Sequence, residues 1–365
     1  MIPRPRSNPL GFPPARAVEH AAFQLRAAPE SVHQLLLPVW RVEVEARVTT
    51  AEPYQLVDRY LSRGVEEAGL TTPDELATFL ALDPALTRQA LAYLRAVGHL
   101  TEDRGRLTLT DLGRRSLADG EMYTVKLGDR RVVYFDAWTG TPLAEGHAEK
   151  GPAGPAPLDT WTSPPPLLAP DPFRPEAAHA LAEPGVADPK ALTWDVEYLL
   201  AHVVRTGDAR HLVCTRPRRG EPDPVLSRAL DRSPACLSAL ADAGRRARKA
   251  FEEEAGRWLS RRGLAAHPPH RDPDGMHRVR LAEDDFTGAG PAGDGLTGDL
   301  PALGSVVVLR SGGFFQLWCA DPGARRRELE RRMDAFRAAR PRTPEALSAQ
   351  ESRLASLLDV RPGQK

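Results

Sequence analysis

Three stretches decide how the N-terminal part is read: Leu70-Thr71-Thr72-Pro73-Asp74-Glu75-Leu76-Ala77, then Ala90-Leu91-Ala92-Tyr93-Leu94-Arg95-Ala96-Val97-Gly98-His99-Leu100, then Leu107-Thr108-Leu109-Thr110-Asp111-Leu112-Gly113-Arg114. In the first, Thr72 can cap a helix that Pro73 opens, and Glu75 is placed to reach back to the cap N–H. Leu76, Phe79 and Leu80 make its apolar face. Asp83-Pro84 starts the next helix in the same way, with Leu86, Ala90, Leu91 and Leu94 inward and Gly98 as the stop. Leu100 to Thr110 reads as a hairpin around Asp103-Arg104-Gly105, and Thr110-Asp111 begins a short helix through Leu117. Upstream, Tyr54, Leu56, Val57, Tyr60, Leu61 and Val65 keep helical spacing from Pro53, and Val42 to Val48 alternates as a half-buried strand. Downstream, two apolar runs around Gly128-Asp129, from Met122 to Asp136, predict a hairpin that pairs with that strand, with Tyr134, Phe135 and Trp138 in the core.

Helix, helix, helix and a two-stranded wing in this order resemble the bacterial winged helix-turn-helix family over about residues 53–118. The resemblance implies a third helix that enters the DNA major groove and a wing that touches the backbone or minor groove. It assigns DNA contact to Arg88, Gln89 and Arg95 on the outward face of that helix and to Arg104 and Arg106 on the wing. The charge balance pulls the other way. Residues 51–120 hold 11 Asp and Glu against 8 Arg and no Lys, whereas non-specific DNA affinity comes mainly from phosphate neutralisation. A protein-contact role therefore stands beside the DNA reading.

The whole chain has 365 residues, 49 Lys and Arg against 49 Asp and Glu, and no net charge. That excludes a globally basic nucleic-acid coat and an acidic solvating tail. No apolar run is long enough for a membrane span, and the start Met1-Ile2-Pro3-Arg4-Pro5-Arg6 lacks a secretory stretch, so the expectation is a cytoplasmic protein without a membrane partner. Cys214, Cys236 and Cys319 are far apart and read as reduced thiols. Only five lysines accompany 44 arginines, so a single arginine carries little functional information here.

Proline divides the chain. Five prolines fall in the first 14 residues and nine between Pro152 and Pro175, and such stretches favour extended, semi-rigid conformations. The expected organisation is a tail over 1–18, a winged-helix domain with flanking strands over 19–147, a linker over 148–175, and a C-terminal mixed α/β domain over 176–360. The fold class is α+β. In the C-terminal part Trp194 to Val204 reads as a helix, His211 to Cys214 as a short strand, and Cys236 to Arg262 as a long helix. Met276 to Leu281, Ser305 to Arg310 and Phe314 to Cys319 read as strands, Thr287 to Leu303 as a loop, and Ala324 to Ala339 as a last helix. Arg216, Arg218 and Arg219, with Arg245, Arg246 and Arg248 on the long helix, are candidates for a basic patch.

This region is faintly similar to the restriction-endonuclease-like core, which implies acids that hold Mg²⁺ and a Lys that stabilises the charged transition state. Glu253 and Asp299 match its first two acidic places. The third strand instead reads Gln316-Leu317-Trp318-Cys319-Ala320, with no lysine between Lys249 and Lys365, so the resemblance implies a degenerate fold rather than an enzyme. His267, His270 and His277 sit in a proline-rich loop unsuited to a metal, and no phosphate loop, dinucleotide fingerprint, nucleophile elbow or HExxH helix occurs. No cofactor and no metal are expected. The function read from the sequence is a winged-helix DNA-binding protein in regulation or another bacterial DNA transaction. The alternative is a non-catalytic interaction subunit of a multiprotein complex, such as a phage-defence or restriction assembly, with a protein partner. No feature specifies a homo-oligomer.

Overall fold

A computed structural model describes residues 10, 12–144, 154–160, 167–215, 220–287, 300–339 and 343–360. The architecture is mixed α/β, and its backbone is a four-stranded sheet in the order β4-β1-β5-β6. The strands are β1 (Pro29–Pro53), β4 (Glu121–Asp136), β5 (Val186–Thr206) and β6 (His211–Cys214). β1 and β5 run antiparallel, as Glu30 meets Arg205, Arg41 meets Glu197, and Arg47 meets Asp188. β4 lies antiparallel on the other side of β1, with Thr124 opposite Thr50 and Arg130 opposite Glu45.

The sheet is apolar on both faces in its first compact unit. Val32, Leu36, Leu200 and Val204 pack with Phe12 and Val18, the latter on α1 (Pro14–Glu19). Leu35, Leu37, Leu199, Ala201 and Val203 pack on Leu226 and Leu230 of α6 (Pro224–Asp231) and Leu240 of α7 (Pro234–Ser260). This corrects the expected helix at Trp194–Val204, which is part of β5. A strand buried on both faces is apolar nearly throughout, and Tyr198 to Val204 is such a run, interrupted by the buried His202. The expected hairpin at Gly128 is also corrected. β4 continues through it, and Gly128 takes φ 66 inside the strand, a bulge rather than a turn.

Between β1 and β4 the chain makes a compact helical module: α2 (Leu56–Glu66), α3 (Pro73–Leu80), α4 (Pro84–Ala96), the hairpin β2 (Leu100–Asp103) and β3 (Arg106–Leu109), and α5 (Asp111–Asp119). Every one of these elements was expected. Leu61, Val65, Leu76, Leu91, Leu94, Leu100, Leu107 and Leu109 form its core. Gly113 lets α5 approach closely, because a Cβ there would stand 2.3 Å from the His99 carbonyl oxygen.

A second sheet has the order β7-β8-β10-β9, from β7 (His270–Arg271), β8 (His277–Arg280), β9 (Val306–Val308) and β10 (Phe314–Trp318). β10 is parallel to β8 and antiparallel to β9. A short helix α8 (Asp284–Thr287) follows β8, and the chain ends on α9 (Pro322–Ala339) and α10 (Pro344–Leu358). α10 was not foreseen. Most of the expected glycine-rich loop, 288–299, lies outside the described residues.

Two compact units emerge, and they are not consecutive: 1–41 with 134–173 and 195–365, and 42–133 with 174–194. These replace the expected boundaries at 147 and 176. The proline-rich segment is no free linker either, since its described parts bond to the first unit. Leu168 N–H donates to the Leu36 carbonyl at 3.2 Å, and Tyr198 N–H to that of Ala156 at 2.8 Å. The indoles of Trp138 and Trp40 donate to the carbonyls of Ala169 and Asp171 at 3.0 and 3.2 Å. Prolines remove donors from such a segment but leave its carbonyls free to accept. No helix among the described residues is long and apolar enough to cross a membrane.

Candidate functional site

The outward face of α4 and the β2–β3 hairpin is the surface that the sequence singles out, and local chemistry fixes both. At the start of α3, Glu75 N–H donates to Thr72 Oγ1 at 3.3 Å and Thr72 N–H to Glu75 Oε2 at 3.0 Å. The Thr71 amide and the Thr72 groups hold the Glu75 carboxyl below its ordinary range. Asp83 caps α4 by accepting from the amides of Ala85 and Leu86. At the exit of α4, His99 is fully buried and ties three elements together. Its Nε2 lies 2.6 Å from the Tyr123 carbonyl oxygen, which can only accept, so Nε2 carries the proton and Nδ1 accepts from Tyr54 Oη at 3.3 Å. Tyr54 in turn bonds Ser62 on α2 at 2.9 Å.

On this frame the expected DNA-facing residues divide. Arg88 pairs with Asp74 at 3.2 Å and Arg95 with Glu102 at 2.6 Å. Gln89 is exposed. Arg104 and Arg106 lie on the hairpin, whose turn has φ 49 at Arg104 and 78 at Gly105; among the described residues neither makes a direct ion pair, though Arg106 is near enough to Glu75 to help lower its carboxyl. Exposed ion pairs are worth about 0–1 kcal/mol. The pairs therefore do not lock Arg88 and Arg95, but they cancel their charge locally.

What sequence reasoning missed is an exposed apolar flank of the module, on the side of α4 away from Arg88 and Arg95. Leu86 and Tyr93, seven residues apart and so on one stripe of α4, are 46% and 44% exposed. On α2, which packs against α4, Leu56 and Tyr60 are 69% and 48% exposed. On α3, Phe79 is 64% exposed. Leu86 was expected inward and Phe79 on the apolar face of its helix, whereas Leu56 and Tyr60 were read only as keeping helical spacing. Thr87, not Leu86, is buried on α4, its hydroxyl donating to the Asp83 carbonyl at 3.0 Å. A small residue that satisfies its hydroxyl on the preceding turn can take the inner position and turn the leucine beside it outward.

The other expected patch is only partly visible. Arg216, Arg218 and Arg219 lie outside the described residues. Arg245, Arg246 and Arg248 are exposed on α7, yet Arg245 pairs with Asp242, and Arg248 lies 3.6 Å from Glu30, which also holds Arg205 at 3.1 Å. Arg246 stands near His33, whose pKa is lowered to about 4 by burial, then by the charges of Arg246 and His211.

For the nuclease-like expectation, Asp299 lies outside the described residues, and Glu253 is on the exposed side of α7, 3.5 Å from Arg257. Gln316, where the third acid would stand, is fully buried in β10. Its Oε1 accepts from Arg278 Nε at 2.9 Å, and its Nε2 donates to the carbonyls of Gly304 and Leu357 at 3.1 and 2.9 Å. Arg278 also reaches Asp272 at 2.7 Å and lies over the Trp318 ring at 4.8 Å. The group joins β8, β10 and the end of α10. Of the three histidines expected in a loop, His267 Nδ1 lies 3.1 Å from the Arg280 carbonyl oxygen, whereas His270 stands in β7 and His277 in β8, where it packs against the Phe251 ring at 4.4 Å.

Comparison with protein-family models, with curated proteins and with solved structures gives no match.

Proposed function

We propose that the α2–α5 module is a winged-helix domain used to dock a protein, and that the chain is a non-catalytic interaction subunit of a larger assembly. One observation carries the reading: α4 exposes Leu86 and Tyr93 along one flank, while Arg88 and Arg95 on its other flank are paired with acids of the same module. Tyrosine and leucine beside an adjoining Leu56 and Tyr60 supply the buried anchors that protein interfaces use, with the paired charges as a polar rim. The acidic balance of residues 51–120 favours a partner segment that is apolar on one side and basic at its edges.

A second reading, DNA contact through the hairpin, is favoured by Arg104 and Arg106 alone. One set of experiments separates the two. A photo-crosslinking residue at Tyr93 in the full chain should yield one protein adduct in the host cell. That partner, purified, should bind the wild type and lose binding to Leu86→Glu/Tyr93→Glu. Salt-sensitive binding of duplex DNA, abolished by Arg88→Ala/Arg104→Ala/Arg106→Ala, would replace this reading with the DNA one.

A further inference from the structure

A cleft of about 590 Å³ opens in the first compact unit, among the π-helical turn His20–Gln24, the loop before β8 and the end of α10. That volume is in the range of small-ligand sites. Its apolar lining is Phe23, Met276 and Ala355, and two charged residues of opposite sign stand on its wall, Arg26 and Asp359.

Both charged residues hold left-handed backbone, with φ 52 at Arg26 and φ 48 at Asp359. Glycine, asparagine and aspartate are the residues such a conformation favours, so of the two it is the long Arg26 side chain that is kept there at a cost in strain. Among the described residues Arg26 and Asp359 make no ion pair with each other, so more than a contact distance separates them across the cleft. Arg26 has no ion-pair partner among the described residues at all. Asp359 Oδ2 lies 3.3 Å from Arg325, which leaves Oδ1 toward solvent. The last carbonyls of α10 add negative charge on that side. A third charged group at the rim, Asp274, is occupied. It accepts from the Met276 amide at 3.0 Å and from Arg278. The serine hydroxyl of Ser356 is also taken, donating to the Phe23 carbonyl at 2.9 Å.

The charged groups left over therefore point to the ligand: one cation and one anion beside an apolar floor, with the Ser352 hydroxyl also on the wall. We propose that this cleft binds a short apolar peptide or amino acid with free ends, its carboxylate against Arg26, its ammonium against Asp359 and the end of α10, and its side chains on Phe23, Met276 and Ala355. A zwitterion satisfies both charges at once, whereas a simple anion would meet Asp359 and a simple cation would meet Arg26. The site is independent of the α2–α5 module, so its test is independent of the docking reading.

The probe is the dipeptide Leu-Leu, titrated into the full chain by calorimetry beside N-acetyl-Leu-Leu and Leu-Leu-amide. Free Leu-Leu should bind saturably, and each blocked form about tenfold more weakly, the loss expected for one charge-assisted contact. Arg26→Gly should bind Leu-Leu and its amide alike, and Asp359→Asn should bind Leu-Leu and its acetylated form alike. Glycine and asparagine both suit left-handed backbone, so both variants should melt at or above the wild-type temperature, which separates a lost site from a lost fold. No saturable binding up to about 10 mM, a regime weaker than any specific small-ligand contact of interest, overturns the proposal. So does tight binding of either blocked form, or affinity unchanged in both variants.

Discussion

Replacing Gln316 by glutamate tests what this position is for. The change keeps the shape and adds one charge, and in a strand built to hold a metal-binding acid it would be benign. Here the amide is used in both senses: Oε1 accepts from Arg278, and Nε2 donates to the carbonyls of Gly304 and Leu357. The Leu357 carbonyl is among the last of α10, which have no partner inside the helix. Gln316→Glu keeps the contact with Arg278 and removes both donated bonds, leaving two buried carbonyls facing a carboxylate. Each unsatisfied buried group costs about 1–3 kcal/mol. The added attraction to Arg278 offsets part of this, though Asp272 and Asp274 already hold that guanidinium. The expected net loss is roughly 2–4 kcal/mol at neutral pH, read from urea unfolding followed by fluorescence of Trp318, two residues along the strand. Protonating the introduced carboxyl lets it donate one bond, so the gap between variant and wild type should narrow by about 1 kcal/mol as pH falls. A variant within about 0.5 kcal/mol of wild type, the scatter of neutral substitutions, would refute the structural role and return the position to the acid-bearing strand.

Acid should unfold the protein early. His202, buried beside the Phe12 ring, has its pKa lowered to about 4 by burial, against a slight raising effect of its bond to the Phe12 carbonyl, and His33 is lowered to about 4 as well. The unfolded chain then binds protons that the folded one refuses, so stability is full above pH 6.5 and is lost as pH falls from there through 4. For His202 the loss is roughly 3 kcal/mol at ~1.4 kcal/mol per pH unit, and smaller for the less buried His33. His202→Leu should flatten that limb of a stability–pH profile, and an unchanged slope would count against the assignment. Gly113→Ala, whose Cβ would meet the His99 carbonyl oxygen at 2.3 Å, should cost at least ~2 kcal/mol in the same unfolding assay, and an effect near zero would mean that α5 has room to shift. His99→Ala strips partners from Tyr54 and the Tyr123 carbonyl and should cost about 2–3 kcal/mol, with exchange of the β2 and β3 amides rising first.

The module was legible because its signals are local. Thr72 with Glu75, Asp83 with Pro84, and Gly98 each act within four residues, and each behaves in the structure as the sequence implies. Side-chain direction was less legible. Leu86 and Thr87 are neighbours, and only packing against the other helices decides which faces inward. The long-range errors share one cause. Tyr198 to Val204 is apolar but for His202, and a run of that length fits a buried strand or a buried helix equally well until its partners on β1 and β6 are known. The proline-rich segment failed in the opposite direction. Composition announced a linker, but indole donors of Trp40 and Trp138, far away in sequence, capture its carbonyls.

Charge is where local reading and structure diverge most usefully for function. In an arginine-rich chain of zero net charge, cancellation can be global or residue by residue, and the two make different predictions for DNA. Arg88 with Asp74, Arg95 with Glu102, Arg245 with Asp242 and Arg248 with Glu30 show cancellation at the level of single contacts. This leaves Arg104 and Arg106 as the module's expected DNA-facing cations with no direct ion pair among the described residues, Arg106 acting on Glu75 only from a distance. If only those two neutralise phosphates, the slope of log affinity against log salt is about −1.8, and raising salt from about 50 to 200 mM weakens binding roughly twelvefold. A dedicated DNA reader with six or more phosphate contacts loses about a thousandfold or more over the same range. Docking through Leu86 and Tyr93 should depend on salt only weakly, because the burial of apolar surface is not screened and only the contacts at the partner's basic edges are. The salt series therefore reads the number of free arginines directly. A slope of about −3.6, that of four contacts, would show that Asp74 and Glu102 surrender Arg88 and Arg95 to phosphate, and the docking proposal would fall with that result.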